Sequence, residues 1–105
     1  MANSSNWQFE ITNSGKADLI RLDKKIQRRI LEKLKWFTEN FQNVTPLPLG
    51  GKWRGFFKLR VGDWRIIYEV DHETYCITVH IIDNRRRIYK RKSPNASKLN
   101  KEMRK

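Results

Sequence analysis

Residues 57–68 read Phe-Lys-Leu-Arg-Val-Gly-Asp-Trp-Arg-Ile-Ile-Tyr. Apolar residues alternate with cations on both sides of Gly62-Asp63, the period of two expected of half-buried strands. Gly-Asp between two such runs is a two-residue hairpin turn, with Gly at the first central position, where the backbone needs a positive φ. The turn sets the register: Val61 opposite Trp64, Arg60 opposite Arg65, Leu59 opposite Ile66, Lys58 opposite Ile67. Cross-strand partners share a face. Phe57, Leu59, Val61, Trp64, Ile66 and Tyr68 then face a core. The other face carries Arg54, Lys58, Arg60, Arg65 and Glu69, with Phe56 and Ile67 among them. A slip of one residue would bury the charges, so the register is strongly specified.

Outward from the hairpin, Trp53 to Ile82 read as three antiparallel strands, the third running from Cys76 to Ile82. With Ile77, Val79 and Ile81 toward the core, Thr78 and His80 join the basic face. Asp83 to Lys92 then place Arg85, Arg86, Arg87, Tyr89, Lys90, Arg91 and Lys92 just beyond the sheet. On the other side, Asn43 to Gly51 hold Pro46, Pro48, Gly50 and Gly51 and read as a connector. Ala17 to Phe41 change to helical spacing. Ile26, Ile30, Leu34, Phe37 and Phe41 make one apolar stripe, and Asp23 can cap its start. A shorter helix with Leu19, Ile20 and Leu22 precedes it, giving a helical hairpin, and Thr12 to Lys16 form a polar turn before that. Trp7, Phe9 and Ile11 alternate with polar residues as a first strand. Residues 1–6 and 93–105 are expected to be mobile tails.

A length of 105 residues predicts a single domain over 1–105. The chain has 23 basic and 11 acidic residues, a net charge of +12. Residues 1–50 hold 8 basic and 5 acidic side chains (+3), and residues 51–105 hold 15 and 6 (+9). A polyanion-facing surface is therefore expected in the second half. Cys76 is the only cysteine, which excludes an internal disulfide and a Cys-based zinc cluster. No N-terminal apolar run resembles a signal peptide, and no stretch has the length of a membrane span, so the cytoplasm is the expected compartment. No metal-ligand cluster, Gly-rich phosphate loop or Ser-His-Asp spacing is evident, so neither metal nor cofactor is expected.

Several cations on one open sheet face are costly unless an anion sits there. Arginine suits phosphate because its planar fork donates paired hydrogen bonds. Cleaving RNA needs a base for the 2′-hydroxyl, cations for the charge growing on phosphorus oxygens, and an acid for the leaving 5′-oxygen. Arg60, Arg65 and Arg85 can supply charge, and Tyr89 can exchange a proton or stack on an unpaired base. The same residues also fit ordinary roles. Arg60 and Arg65 can pair with Glu69 or Asp63, residues 85–87 can be a plain basic run, and Tyr89 and His80 can simply pack.

The segment Phe57 to Val70 resembles the central hairpin of the RelE/ParE toxin superfamily. Asp83-Asn84-Arg85-Arg86-Arg87-Ile88-Tyr89 resembles its C-terminal arginine-rich turn ending in Tyr, and Leu22 to Leu34 its second helix. The likeness spans about residues 7–92. It implies an α+β fold of order β-α-α-β-β-β, with the N-terminal helical hairpin packed on one face of an antiparallel-rich sheet. It also implies a toxin of a type II toxin–antitoxin pair, a monomer when alone and a hetero-oligomer with an acidic antitoxin. RelE-type members cut mRNA in the ribosomal 30S A site without metal, using the 2′-hydroxyl as nucleophile. By matching position, Lys58, Arg65, Arg85 and Tyr89 would be catalytic, and Arg54, Arg60, Arg86, Arg87 and Lys90 would hold RNA. RelE has a further lysine two residues before the position of Lys58, where this chain has Phe56. Asn84 stands where many relatives have His.

Three readings follow: a ribosome-dependent endoribonuclease, a ParE-like inhibitor of DNA gyrase without RNase chemistry, and an RNA-binding module without catalysis.

Overall fold

The structure, a computed structural model, describes residues 6–94. The hairpin forms as its alternation requires. Strands β3 (Phe57–Val61) and β4 (Trp64–Asp71) pair antiparallel, with Lys58 opposite Ile67, Arg60 opposite Arg65 and Val61 opposite Trp64. Gly62 takes φ +59°, the left-handed conformation that the first position of this turn needs. Strand β5 (Cys76–Asn84) pairs antiparallel with β4 on its other side. Strand β1 (Gln8–Ile11) runs parallel to β5, with Phe9 opposite Ile77. The two residues of β2, Leu47–Pro48, pair with Lys58 and Phe57. The sheet has five strands in the order β1-β5-β4-β3-β2.

Two helices, α1 (Asn13–Ile20) and α2 (Lys24–Glu39), cover one face of this sheet. The Asp23 carboxylate caps α2 by accepting from the Ile26 amide at 3.1 Å, as its position ahead of the apolar stripe predicts. Ile30, Leu34, Phe37 and Phe41 from the stripe meet Val61, Ile66, Tyr68, Ile77, Val79 and Ile82 in the main core. Helix α1 approaches β5 closely. A Cβ at Gly15 would come 2.8 Å from Ile11 Cγ2 and 3.0 Å from the Val79 carbonyl, so only glycine fits there.

Several expectations are corrected. Thr12 to Lys16 are not a turn: Thr12 is the N-cap of α1 and its hydroxyl accepts from the Gly15 amide at 3.1 Å. Residues 43–51 are not wholly a connector, since β2 lies within them. Trp53 ends a 3-10 turn, Gly51–Trp53, and β3 starts only at Phe57. Arg54 is exposed in the bend between them, so strand alternation does not set its direction. Ile81 does not face the main core. Ile67 pairs with Ile81 but Tyr68 pairs with Val79, so His80 is an extra residue in β5 and a bulge shifts the alternation. Ile82 takes the core place instead.

The bulge builds a second, smaller core on the opposite face. Trp53, Phe56, Ile67, Ile81 and Ile88 are buried there together, with Leu49 packed against them. Of the expected tails, residues 1–5 and 95–105 lie outside the described residues, while Ser93 is buried. No described helix is long and apolar enough to cross a membrane.

Candidate functional site

The second core is the floor of the site. Phe56, Ile67 and Ile81 supply apolar surface on the sheet, and Ile88 docks onto it from the 3-10 turn Ile88–Lys90. Ile88 is fully buried, so its neighbour Tyr89 is held at the surface with a fixed origin. The ring of Tyr89, 40% exposed, lies under Lys58, whose Nζ is 5.9 Å from the ring centroid. That distance lies at the outer limit of a cation–π contact, and a partly exposed pair of this kind contributes about 0.5 kcal/mol. The contact joins two segments that the sequence separates widely.

Arg60 and Arg65 face each other across β3 and β4, on the side away from the main core. Lys58 is a diagonal neighbour of Arg65 on that face, a spacing of about 7–8 Å between backbones. Neither arginine pairs with a carboxylate among the described residues. Arg65 Nη1 instead donates to the carbonyls of Gly62 and Trp64 at 2.8 and 2.9 Å, which holds its guanidinium at the hairpin turn. Of the two acids that could have neutralised this face, Glu69 lies 2.6 Å from His80 Nε2. Asp63 reaches Arg85 Nε at only 3.8 Å, with both side chains more than half exposed, and such a pair adds little stability. His80 is therefore occupied, with its ring edge-on to Phe56 at 5.3 Å.

Arg85 reaches the same turn by main-chain pairing: its amide donates to the Asp63 carbonyl at 2.8 Å. The Asn84 side chain accepts from the amides of Arg86 and Arg87 at 3.0 and 2.9 Å, so Asn84 shapes the arginine-rich turn. Arg86 lines a shallow hollow with Asp63, Asn84 and Arg85. Arg87 diverges from them and lines a different hollow on the α1 side. Lys90 and Arg54 are both exposed. The fold thus sets Arg65, Arg85 and Arg86 at the hairpin end, with Arg60 opposite Arg65, and Lys58 with Tyr89 beside the second core, and it sends Arg87 elsewhere.

Two features escaped the sequence. The first is Arg29 on α2: a Cβ at Gly62 would lie 2.9 Å from its Nη2, so a third guanidinium stands at the hairpin turn with those of Arg65 and Arg85. Its place among the cations flanking the apolar stripe gave no sign of this. The second is Arg91, which bonds both oxygens of the buried Asp18 at 3.1 and 3.2 Å and Asp83 Oδ2 at 3.0 Å. Partial burial works against the Arg91 charge, but the bonds to Asp83 and Asp18 outweigh it and raise its pKa. Asp18 also accepts from the Ile82 amide at 3.0 Å. Arg91 thereby straps the segment after Tyr89 to α1 and β5. No group of three His, Cys, Asp or Glu suited to a metal occurs among the described residues.

Residues 9–89 match the family model described as the ParE toxin of type II toxin–antitoxin systems, parDE. No curated protein sequence matches. Solved structures do. The RelBE2 toxin–antitoxin complex from Mycobacterium tuberculosis aligns with a TM-score of 0.68 and 24% identity over 75% of this chain and 98% of that one. The isolated RelE toxin of E. coli aligns with a TM-score of 0.62 and 14% identity over 92% and 98%. A YoeB/ParE toxin from Agrobacterium tumefaciens gives 0.60 and 19% over 73% and 96%. At these identities the likeness is one of fold.

Proposed function

The chain belongs to the ParE toxin family of type II toxin–antitoxin systems, within the RelE/ParE superfamily, and we propose that it acts there as a ribosome-dependent endoribonuclease. The observation that carries this reading is the meeting of Lys58 with the Tyr89 ring, on the face where Arg60 and Arg65 stand without a carboxylate partner. A gyrase-binding surface has no need of a phenol held beside a lysine. In-line transfer at phosphorus can use both, the phenol to exchange a proton and the lysine to hold charge. The 2′-oxygen attacks and loses its proton, the 5′-oxygen leaves and gains one, and the products are a cyclic phosphate and a 5′-hydroxyl. Tyr89 takes the proton from the 2′-hydroxyl, and Arg65 or Arg85 gives one to the leaving 5′-oxygen. Lys58, Arg65 and Arg85 stabilise the phosphoryl oxygens, and Arg60, Arg86, Lys90 and Arg54 hold the strand. This chemistry takes place on mRNA in the ribosomal A site, in the cytoplasm. An acidic antitoxin neutralises the +9 second half; antitoxin-bound relatives such as RelBE2 support such a partner.

Primer extension on a translated mRNA tests the proposal. Cuts within codons are expected, and they should vanish with Arg65→Ala plus Arg85→Ala. Absence of cuts, or cutting unchanged in the double variant, overturns it. A second reading, inhibition of DNA gyrase, is favoured by the matched family's description as the ParE toxin. Loss of supercoiling activity with translation intact would select it.

A further inference from the structure

The hollow that receives Arg87 lies between the C-terminal end of α1, the start of β4 and the end of β5, and measures about 380 Å³. Its lining includes Asp18, Arg21, Trp64, Asn84, Arg87 and Arg91. The charges sort themselves by bonding. Asp18 gives both oxygens to Arg91, and one of them also to the Ile82 amide. Asp83 gives one oxygen to Arg91 and the other to the Asn84 amide at 2.8 Å. All four carboxylate oxygens are engaged inside the protein. Arg21 and Arg87 are exposed and pair with no carboxylate among the described residues. Asp18, Asp83 and Arg91 together leave one negative charge, and Arg21 and Arg87 turn the balance of the hollow to +1, so an entering anion meets two uncommitted guanidiniums beside a half-buried indole.

Cations flanking an aromatic ring suit single-stranded nucleic acid, because every base has a face to stack and every nucleotide a phosphate. The volume suits one nucleotide, lying near the lower end of the range for small-ligand pockets. Position adds to this. Asn84 lines both this hollow and the one formed with Asp63, Arg85 and Arg86. The two hollows adjoin at Asn84, near the end of β5, so a strand bound at Arg85 lies next to the hollow. We propose that the hollow of Arg21, Trp64 and Arg87 is a nucleotide subsite that holds a residue of the RNA next to the cleavage position. Trp64 stacks on the base, and Arg21 and Arg87 take the flanking phosphates. The inference rests on the endoribonuclease reading and extends it to residues on α1 and to a core-side tryptophan.

The test is fluorescence anisotropy of a labelled 2′-O-methyl hexanucleotide, which cannot be cut, titrated with the full chain at several salt concentrations. Arg21→Glu and Arg87→Glu, both surface changes, should each weaken binding and lower the salt slope by about 0.7, as for one lost phosphate contact. Trp64→Leu should weaken binding at least about fivefold with the salt slope unchanged, because stacking is not ionic. Circular dichroism confirms folding, and Arg87→Lys should restore most of the salt slope. If Lys58→Ala plus Arg65→Ala weakens binding while the changes at Arg21, Trp64 and Arg87 do not, the subsite is overturned and the endoribonuclease reading stands. If none of the variants alters binding, or the unaltered chain does not bind at low salt, the subsite also fails; the cleavage assay judges the function separately. Equal binding of an oligoglutamate peptide, with Trp64→Leu without effect on either ligand, would mark a bare anion site and overturn the assignment.

Discussion

Lys58 stands over the ring of Tyr89, Nζ to centroid 5.9 Å, because Ile88 is buried against Ile67 and Ile81 on the same sheet face. The contact is weak in itself. Its value lies in placement: a packed apolar residue fixes where the adjacent phenol meets the lysine.

Tyr89→Phe keeps the ring and removes the hydroxyl. If the hydroxyl exchanges the proton, the cleavage rate on ribosome-bound mRNA should fall by about 100-fold or more, the usual scale of general acid–base catalysis. The thermal midpoint should stay where it is. Single-turnover rates check this, and an unchanged rate would assign Tyr89 to packing alone.

Phe56, which the resemblance to RelE sets where RelE has a lysine, is 2% exposed within the second core. Phe56→Lys should therefore restore no activity. It deletes a packed ring and puts an unpaired charge in its place, at a cost of about 3 kcal/mol or more. Urea titration measures the loss. A variant that is both stable and faster would show that the second core tolerates a lysine reaching outward.

Arg91→Ala leaves Asp18, 7% exposed, without its cation. Breaking a buried pair costs about 3–5 kcal/mol, and the 31% exposure of Arg91 reduces this to about 2 kcal/mol. Asp18 keeps only the Ile82 amide. Denaturation midpoints of Arg91→Ala and of Arg91→Ala plus Asp18→Asn should show partial recovery in the double variant. Additive losses would mean that the two side chains act independently.

Asp71 accepts from the amides of Glu73 and Thr74 in the turn between β4 and β5, and those bonds lower its pKa. A carboxylate whose folded value is lowered stabilises the fold fully above its unfolded value, about 3.9. That contribution is lost as pH falls from there through the lowered folded value. Asp71→Asn keeps the acceptor and removes the charge, so its stability profile should be flatter than that of the unaltered chain below about pH 4. Parallel profiles would exclude Asp71 from the acid limb.

Residue order alone established the hairpin, its register, the two faces of β3 and β4 and the cap of α2. Each depends on residues close in the chain: the Gly62-Asp63 turn forces the pairing, and a period of two assigns the faces. It also located the surplus charge in the second half. What lies on the basic face was settled by packing across the fold. The bulge at His80 turns Ile81 toward Phe56 and Ile67, and no local pattern marks it, because an extra residue is defined only against the partner strand. The second core, the strap from Arg91 to Asp18, the arrival of Arg29 at the hairpin turn and the departure of Arg87 from its neighbours are long-range contacts of the same kind. Burial and pairing fix them across the fold, and spacing along the chain carries no record of either. The open basic face legible in the sequence is therefore a half-covered one, with Lys58, Arg60, Arg65 and Tyr89 at its edge.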